Sequence, residues 1–168
     1  MSTSQIRVIA PEVGGGFGVK IGDYPEDFLI AALTRQIGRP IKWIESRSEH
    51  MATTHHGRDQ IAYLEAAADS DGRIRGLKMR VLHCAGGYDR GSGIKDFTVT
   101  MICGCYDVPA VEAKIDAVFT NQMAVGAYRG AGRPEAAYYI ERVMDLIADE
   151  AGLDPAEVRR KNFIPPEA

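Results

Sequence analysis

Gln60-Ile61-Ala62-Tyr63-Leu64-Glu65-Ala66-Ala67-Ala68-Asp69, then Ser70-Asp71-Gly72, then Arg73-Ile74-Arg75-Gly76-Leu77-Lys78-Met79-Arg80-Val81-Leu82-His83-Cys84 is the stretch on which the fold turns. Asp-Gly between two such runs is a strong short-range hairpin signal, because glycine enters the positive-φ conformation of a tight turn without steric cost. Strands over Gln60–Asp69 and Arg73–Cys84, joined at Asp71-Gly72, are the expectation.

Toward the C-terminus, Gly86-Gly87 to Gly93 reads as a loop and Ile94 to Cys103 as a short helix. Val111 to Thr120 alternates apolar and polar residues, as a half-buried strand does. Pro134 suits a first helical position, and Ala137, Ile140, Val143, Met144, Ile147 and Ala148 recur at helical spacing until Gly152. Tyr138-Tyr139 and Met144 read as a packed helix face. Asp154-Pro155 then caps a short closing helix with Glu157 in its first turn.

Toward the N-terminus, Ser46 to Arg58 is polar, with Arg47, His50, His55 and His56, and reads as a connection. Pro40-Ile41-Lys42-Trp43-Ile44 and Ile6-Arg7-Val8-Ile9-Ala10 read as strands. Between them a helix starts near Pro25, with Glu26 and Asp27 at its positive end and Phe28, Ala31, Ala32 and Leu33 on an apolar face, stopping at Gly38. Strands and helices alternate without a βαβ period, so the class is α+β: a two-layer mixed sheet with helices. Residues 1–168 form one domain, with a loosely repeated plan over about 1–58 and 59–168.

The chain has 168 residues, 45% hydrophobic and 26% charged, with a net charge of −3. That balance offers no broad basic face for nucleic acid or an anionic membrane. No apolar run approaches the roughly 20 residues of a membrane span, and the polar opening Met1–Gln5 does not read as a secretory signal, so a cytoplasmic protein is expected. Cys84, Cys103 and Cys105 lack the spacing of a zinc or iron–sulfur ligand set. Adjacent His55 and His56 would point to opposite faces of a strand and suit hydrogen bonding better than one metal. No Ser–His–Asp or Cys–His arrangement stands out, so no catalytic or metal-ligating residue is assigned.

Two small-residue turns carry the candidate chemistry. Gly14-Gly15-Gly16-Phe17-Gly18 is neither a dinucleotide fingerprint nor a P-loop. It is either a tight turn or a backbone cradle whose N–H groups meet a ligand. Gly126-Ala127-Tyr128-Arg129-Gly130-Ala131-Gly132-Arg133-Pro134 leads into a helix N-terminus, whose free N–H groups and two arginines suit an anion such as a phosphate. The alternative is a solvated loop with surface-paired arginines.

Taken together, the segments Val8–Gly18, Pro40–Trp43, Thr120-Asn121, Ala127–Ala136 and Leu153–Phe163 resemble, in order, the large molybdenum-binding subunit of the xanthine oxidase, aldehyde oxidase and aerobic carbon monoxide dehydrogenase family. The resemblance implies one lobe of a molybdenum-cofactor-binding domain, with Gly15, Gly16, Phe17, Gly18, Ala127, Tyr128, Arg129 and Gly130 against the cofactor. Tyr128 and Ala131 then face the substrate side. The implied cofactor is a molybdopterin, in its cytosine dinucleotide form, and the implied reaction is hydroxylation of an aldehyde or heterocycle with water as the oxygen source.

The implied partners are the remaining lobe of the large subunit, a flavin subunit and an iron–sulfur subunit. Gly130 stands where carbon monoxide oxidisers of this family carry a copper-holding cysteine, and Ala131 where purine oxidisers carry a stacking phenylalanine. Carbon monoxide and purines are therefore disfavoured as substrates. The family's general-base glutamate, in a Gly-Glu motif, has no counterpart here, and its glutamine-bearing motif has at most a remnant at Thr3-Ser4-Gln5. The lobe is expected to be inactive in isolation; a non-catalytic binding or assembly module with the same fold is the alternative. If the assignment holds, the turns at Phe17 and Arg129 must meet in space.

Overall fold

The computed structural model describes residues 2–88 and 93–167. Helix α1 spans Pro25–Ile37 and α2 Arg47–Thr53; strands β1 (Gln60–Ala68) and β2 (Ile74–Gly86) form the hairpin; α3 (Ile94–Thr100) leads to β3 (Val111–Phe119); α4 (Arg133–Ala151) and α5 (Pro155–Asn162) close the fold. A short 3-10 turn covers Thr3–Gln5.

The sheet order is β1-β2-β3, antiparallel across the hairpin and parallel between β2 and β3. This is the mixed α+β arrangement expected. Register aligns the inward residues: Val81 faces Ala62 on one side and Ile115 on the other, and Met79 faces Leu64 and Ala113. Because side chains alternate along a strand, Leu77, Met79 and Val81 share the buried face while Lys78 and Arg80 face out.

Against that face lies α4, whose Tyr139, Ile140, Val143, Met144, Ile147 and Ala148 complete one cluster with Ile102, Tyr106 and Val158. Met144 is fully buried, and truncating such a side chain costs about 2–5 kcal/mol. Tyr138 does not join this face. It is 64% exposed, one position off the apolar stripe that takes Tyr139.

Asn162 pins the hairpin turn to α5. Wholly buried, it donates to the carbonyls of Gly72 and Val158 (2.8 Å each) and accepts from the Ile74 N–H at 2.9 Å. Asp154 caps α5 by accepting from Ala156 and Glu157, as its position before Pro155 suggests.

The N-terminal part departs from expectation. Residues 6–10 and 40–44 are not strands. Ile6, Val8 and Ile9 are 55%, 89% and 67% exposed, and no strand among the described residues lies beside them to complete a ladder. β-Branched composition favours a strand only where a partner supplies the hydrogen bonds. The 46–58 segment, expected as a connection, holds α2. Ser46 accepts from the Glu49 N–H (3.2 Å) while Glu49 accepts from the Ser46 N–H (2.7 Å), a reciprocal cap whose Ser-x-x-Glu signature is visible in the sequence. Helix α1 lies where expected, Asp27 accepting from the Tyr24 N–H, yet it buries no residue. Residues 89–92, inside the expected 86–93 loop, lie outside the described residues.

Candidate functional site

The two turns meet. The Arg129 N–H donates to the Phe17 carbonyl at 2.9 Å, and the Arg129 guanidinium lies 5.8 Å from the centre of the Phe17 ring. Gly18 makes this approach possible. Its φ is +98°, and a Cβ there would overlap the Ala127 carbonyl, with the carbonyl carbon only 2.7 Å away. The bare backbone at this position is therefore required by the second loop itself. Gly14 differs, because a Cβ there would meet nothing within 4 Å.

A third segment, unremarked as site-forming in the sequence, locks the two loops. The Thr54–Gly57 backbone runs beside residues 124–127: the His56 N–H donates to the Ala124 carbonyl (3.0 Å) and the Gly126 N–H to the His56 carbonyl (2.7 Å). Buried His55 donates from Nε2 to the Ala127 carbonyl at 2.9 Å. Its Nδ1 lies 3.1 Å from the Tyr24 hydroxyl, which donates to the Val19 carbonyl at 2.7 Å. His55 thus bridges the strand of chain after the first glycine turn to the second loop.

Arg58, the next contact, was also not singled out from sequence. It donates to the Arg129 carbonyl (2.7 Å) and to Glu135 Oε2 (3.2 Å), and its guanidinium lies 5.0 Å from the centre of the Tyr128 ring. Glu135 sits buried in the first turn of α4, and its Oε1 has no hydrogen-bond partner among the described residues. Nearby, the Tyr139 hydroxyl donates to Gln60 Oε1 at 3.2 Å. Burial, helped by the negative charge of Glu135, pushes the Tyr139 phenol up to about 12.

Backbone strain concentrates here. The non-glycine residues with positive φ among those described are Phe17 (48°), Arg58 (75°), Asp59 (36°) and Ala131 (46°), all on the three converging segments. Each costs on the order of 1–3 kcal/mol, a cost that persists only where surrounding contacts over-determine the conformation.

Of the residues named from sequence, Gly15, Gly16, Phe17, Gly18, Ala127, Tyr128, Arg129, Gly130 and Ala131 all lie on the two joined turns. Tyr128 is 51% exposed beside them. Arg129 is exposed and forms no ion pair among the described residues; its guanidinium rests over the Phe17 ring. Arg133, also exposed, stacks its guanidinium 4.2 Å from the Phe97 ring centre and donates to the Gly130 carbonyl. The histidines, cysteines and acids form no metal-holding cluster among the described residues.

A mixed sheet backed by helices, with two strained glycine-rich turns hydrogen-bonded to each other, is the arrangement these residues build. Residues 1–163 match the molybdopterin cofactor-binding domain, and the chain belongs to that family. It is 44% identical over 96% of its length to 6-hydroxypseudooxynicotine dehydrogenase complex subunit gamma of Paenarthrobacter nicotinovorans. It is 40% identical over 96% of its length to the carbon monoxide dehydrogenase large chain of Hydrogenophaga pseudoflava. The fold superimposes on quinoline 2-oxidoreductase of Pseudomonas putida 86 with a TM-score of 0.87 and 38% identity, covering 94% of this chain and 20% of that one. The chain spans 21% of the length of each of the two curated relatives.

Proposed function

We propose that the joined turns form part of the wall for a molybdopterin group in a molybdenum hydroxylase. The observation that carries this reading is the Phe17–Arg129 junction, where an exposed glycine backbone and an unpaired arginine stand side by side. The residues present suit the group. Gly14 leaves open space over bare backbone, and Arg129 offers a charge with no carboxylate partner among the described residues, matched to a phosphate.

Gly15, Gly16, Phe17, Gly18, Ala127, Tyr128, Arg129 and Gly130 would hold it, with Tyr128 and Ala131 toward the substrate. When bound, the group supplies the redox chemistry of oxidative hydroxylation, with water as the oxygen source. The chain's own part is to bind and orient: Arg129 neutralises phosphate, the glycine turn admits close approach, and His55 keeps the turns together. A cytosine dinucleotide form fits this reading, as do a remaining large-subunit lobe, a flavin subunit and an iron–sulfur subunit as partners in the cytoplasm. Gly130 lacks a thiol for copper, and Ala131 offers no ring for stacking, so an aldehyde or a heterocycle outside the purines is the substrate class.

No helix among the described residues is long and apolar enough to cross a membrane. The outward apolar residues of the N-terminal part, Val8, Ile9, Phe28 and Ile44 among them, suit burial by the remaining lobe. Alone, the chain holds no molybdenum firmly and shows no turnover. Calorimetric titration with inorganic pyrophosphate and with cytidine diphosphate tests the anion site. Arg129→Ala should weaken binding about 10- to 100-fold, the worth of one charge-assisted contact. Undiminished binding refutes the loop as the anion site, and stoichiometric molybdenum with substrate-dependent dye reduction refutes the inactivity.

A further inference from the structure

We infer that Arg58, backed by Glu135, is a positioning residue that sets the presentation of the second turn to its ligand. This rests on the turn's ligand-facing role proposed above. Arg58 makes three contacts: with the Arg129 carbonyl and the Tyr128 ring of the second turn, and with the Glu135 carboxylate at the start of α4. The planar guanidinium suits this, because its rigid fork donates in two directions while its face covers an aromatic ring.

The carbonyl contact matters most. In a trans peptide the C=O and the following N–H lie in one plane and point in opposite directions within it. Holding the Arg129 carbonyl toward Arg58 therefore turns the Gly130 N–H away from it. That N–H finds no acceptor among the described residues, and Gly130 is exposed. The latch thus leaves one oriented, unused donor beside the Arg129 charge, and fixes the ring of Tyr128 on the same loop. Glu135 is the anchor. Its side chain is 7% exposed against 37% for Arg58, so the pair runs from the buried start of α4 outward to the loop. Arg58 itself holds a left-handed backbone, which its three contacts maintain.

The experiment compares the wild-type chain with Arg58→Ala, Arg58→Lys and Glu135→Gln by 15N relaxation, thermal denaturation and titration with inorganic pyrophosphate. Order parameters at Tyr128, Arg129 and Gly130 should fall in Arg58→Ala from the rigid value of about 0.85 to below about 0.6, with Leu64 and Val143 unchanged. Arg58→Lys keeps the charge beside Glu135 but loses the fork, and should show an intermediate loss. Glu135→Gln retains an acceptor for Arg58 and should loosen the turn least. Pyrophosphate affinity should drop roughly tenfold in Arg58→Ala, although Arg58 itself is engaged behind the loop.

A turn as rigid in Arg58→Ala and Arg58→Lys as in the wild type overturns the inference. So does equal loosening of turn and core, which is a merely structural role. If Arg58→Ala does not fold, the lysine variant decides. If pyrophosphate binds no form of the chain, the anion reading fails, while the relaxation data still decide the latch.

Discussion

Gly18→Ala tests the junction at its tightest point. Two costs add. The new residue must hold φ +98° in a region that L side chains rarely adopt, and its Cβ would overlap the Ala127 carbonyl, with the Tyr128 Cα at 3.1 Å. The obstacles are backbone atoms, so no side chain can rotate aside. The conformational cost is about 1–3 kcal/mol. A closed state weakened by about 1–3 kcal/mol raises the opening population of the Arg129 N–H to Phe17 carbonyl bond about 5- to 150-fold, at tenfold per 1.4 kcal/mol.

NMR-detected amide exchange of Arg129 reads this directly, with Val143 and Ile147 in the α4 core as internal references. Gly14→Ala is the matched control four residues away. A Cβ there meets nothing within 4 Å, so Arg129 exchange should change by less than the equivalent of about 1 kcal/mol. Equal behaviour of the two variants, or an Arg129 amide in Gly18→Ala as protected as in the wild type, would refute the argument from close approach.

Two further outcomes follow from the core. Asn162→Ala leaves the Ile74 N–H and Gly72 carbonyl buried without their partner and should cost about 2–4 kcal/mol, seen as a melting temperature lower by roughly 5–15 °C. Hydrogen bonding from Arg159 holds the Asp145 carboxyl below its ordinary 3.8. Because the folded value is the lower one, this stabilisation is complete above 3.8 and is lost as pH falls through the folded value. A carboxyl-detected titration should place the Asp145 midpoint below 3.8, and Arg159→Ala should move it back up.

What could be read from the sequence was whatever is decided locally or by periodicity. Asp71-Gly72 announced the hairpin, and the spacing from Ala137 to Ala148 announced α4, although Ala137 and Tyr138 both lie on its exposed side. The segments 6–10 and 40–44 have strand composition without a partner strand, a circumstance no local rule detects. Helix α2 carries its own signal in the Ser46–Glu49 cap, although its polar surroundings read as a connection.

At the site, the glycine and arginine turns stood out, but local chemistry left their roles open and only the family resemblance required them to meet. His55 and Arg58 contact partners about seventy residues distant in sequence, Ala127, Arg129 and Glu135. Spacing carries no trace of such contacts. The available hint was Gly126, whose Cβ would sit 2.7 Å from the His55 Nε2.

Burial is unevenly distributed along the described residues. Residues 2–53 contain no buried side chain, whereas the apolar cluster is drawn from Ile74 to Val158. The joined turns connect residues 2–53 to the part of the chain that carries the cluster. If the turns hold the proposed ligand, it binds only their joined arrangement and stabilises that junction increasingly as its concentration rises above its Kd.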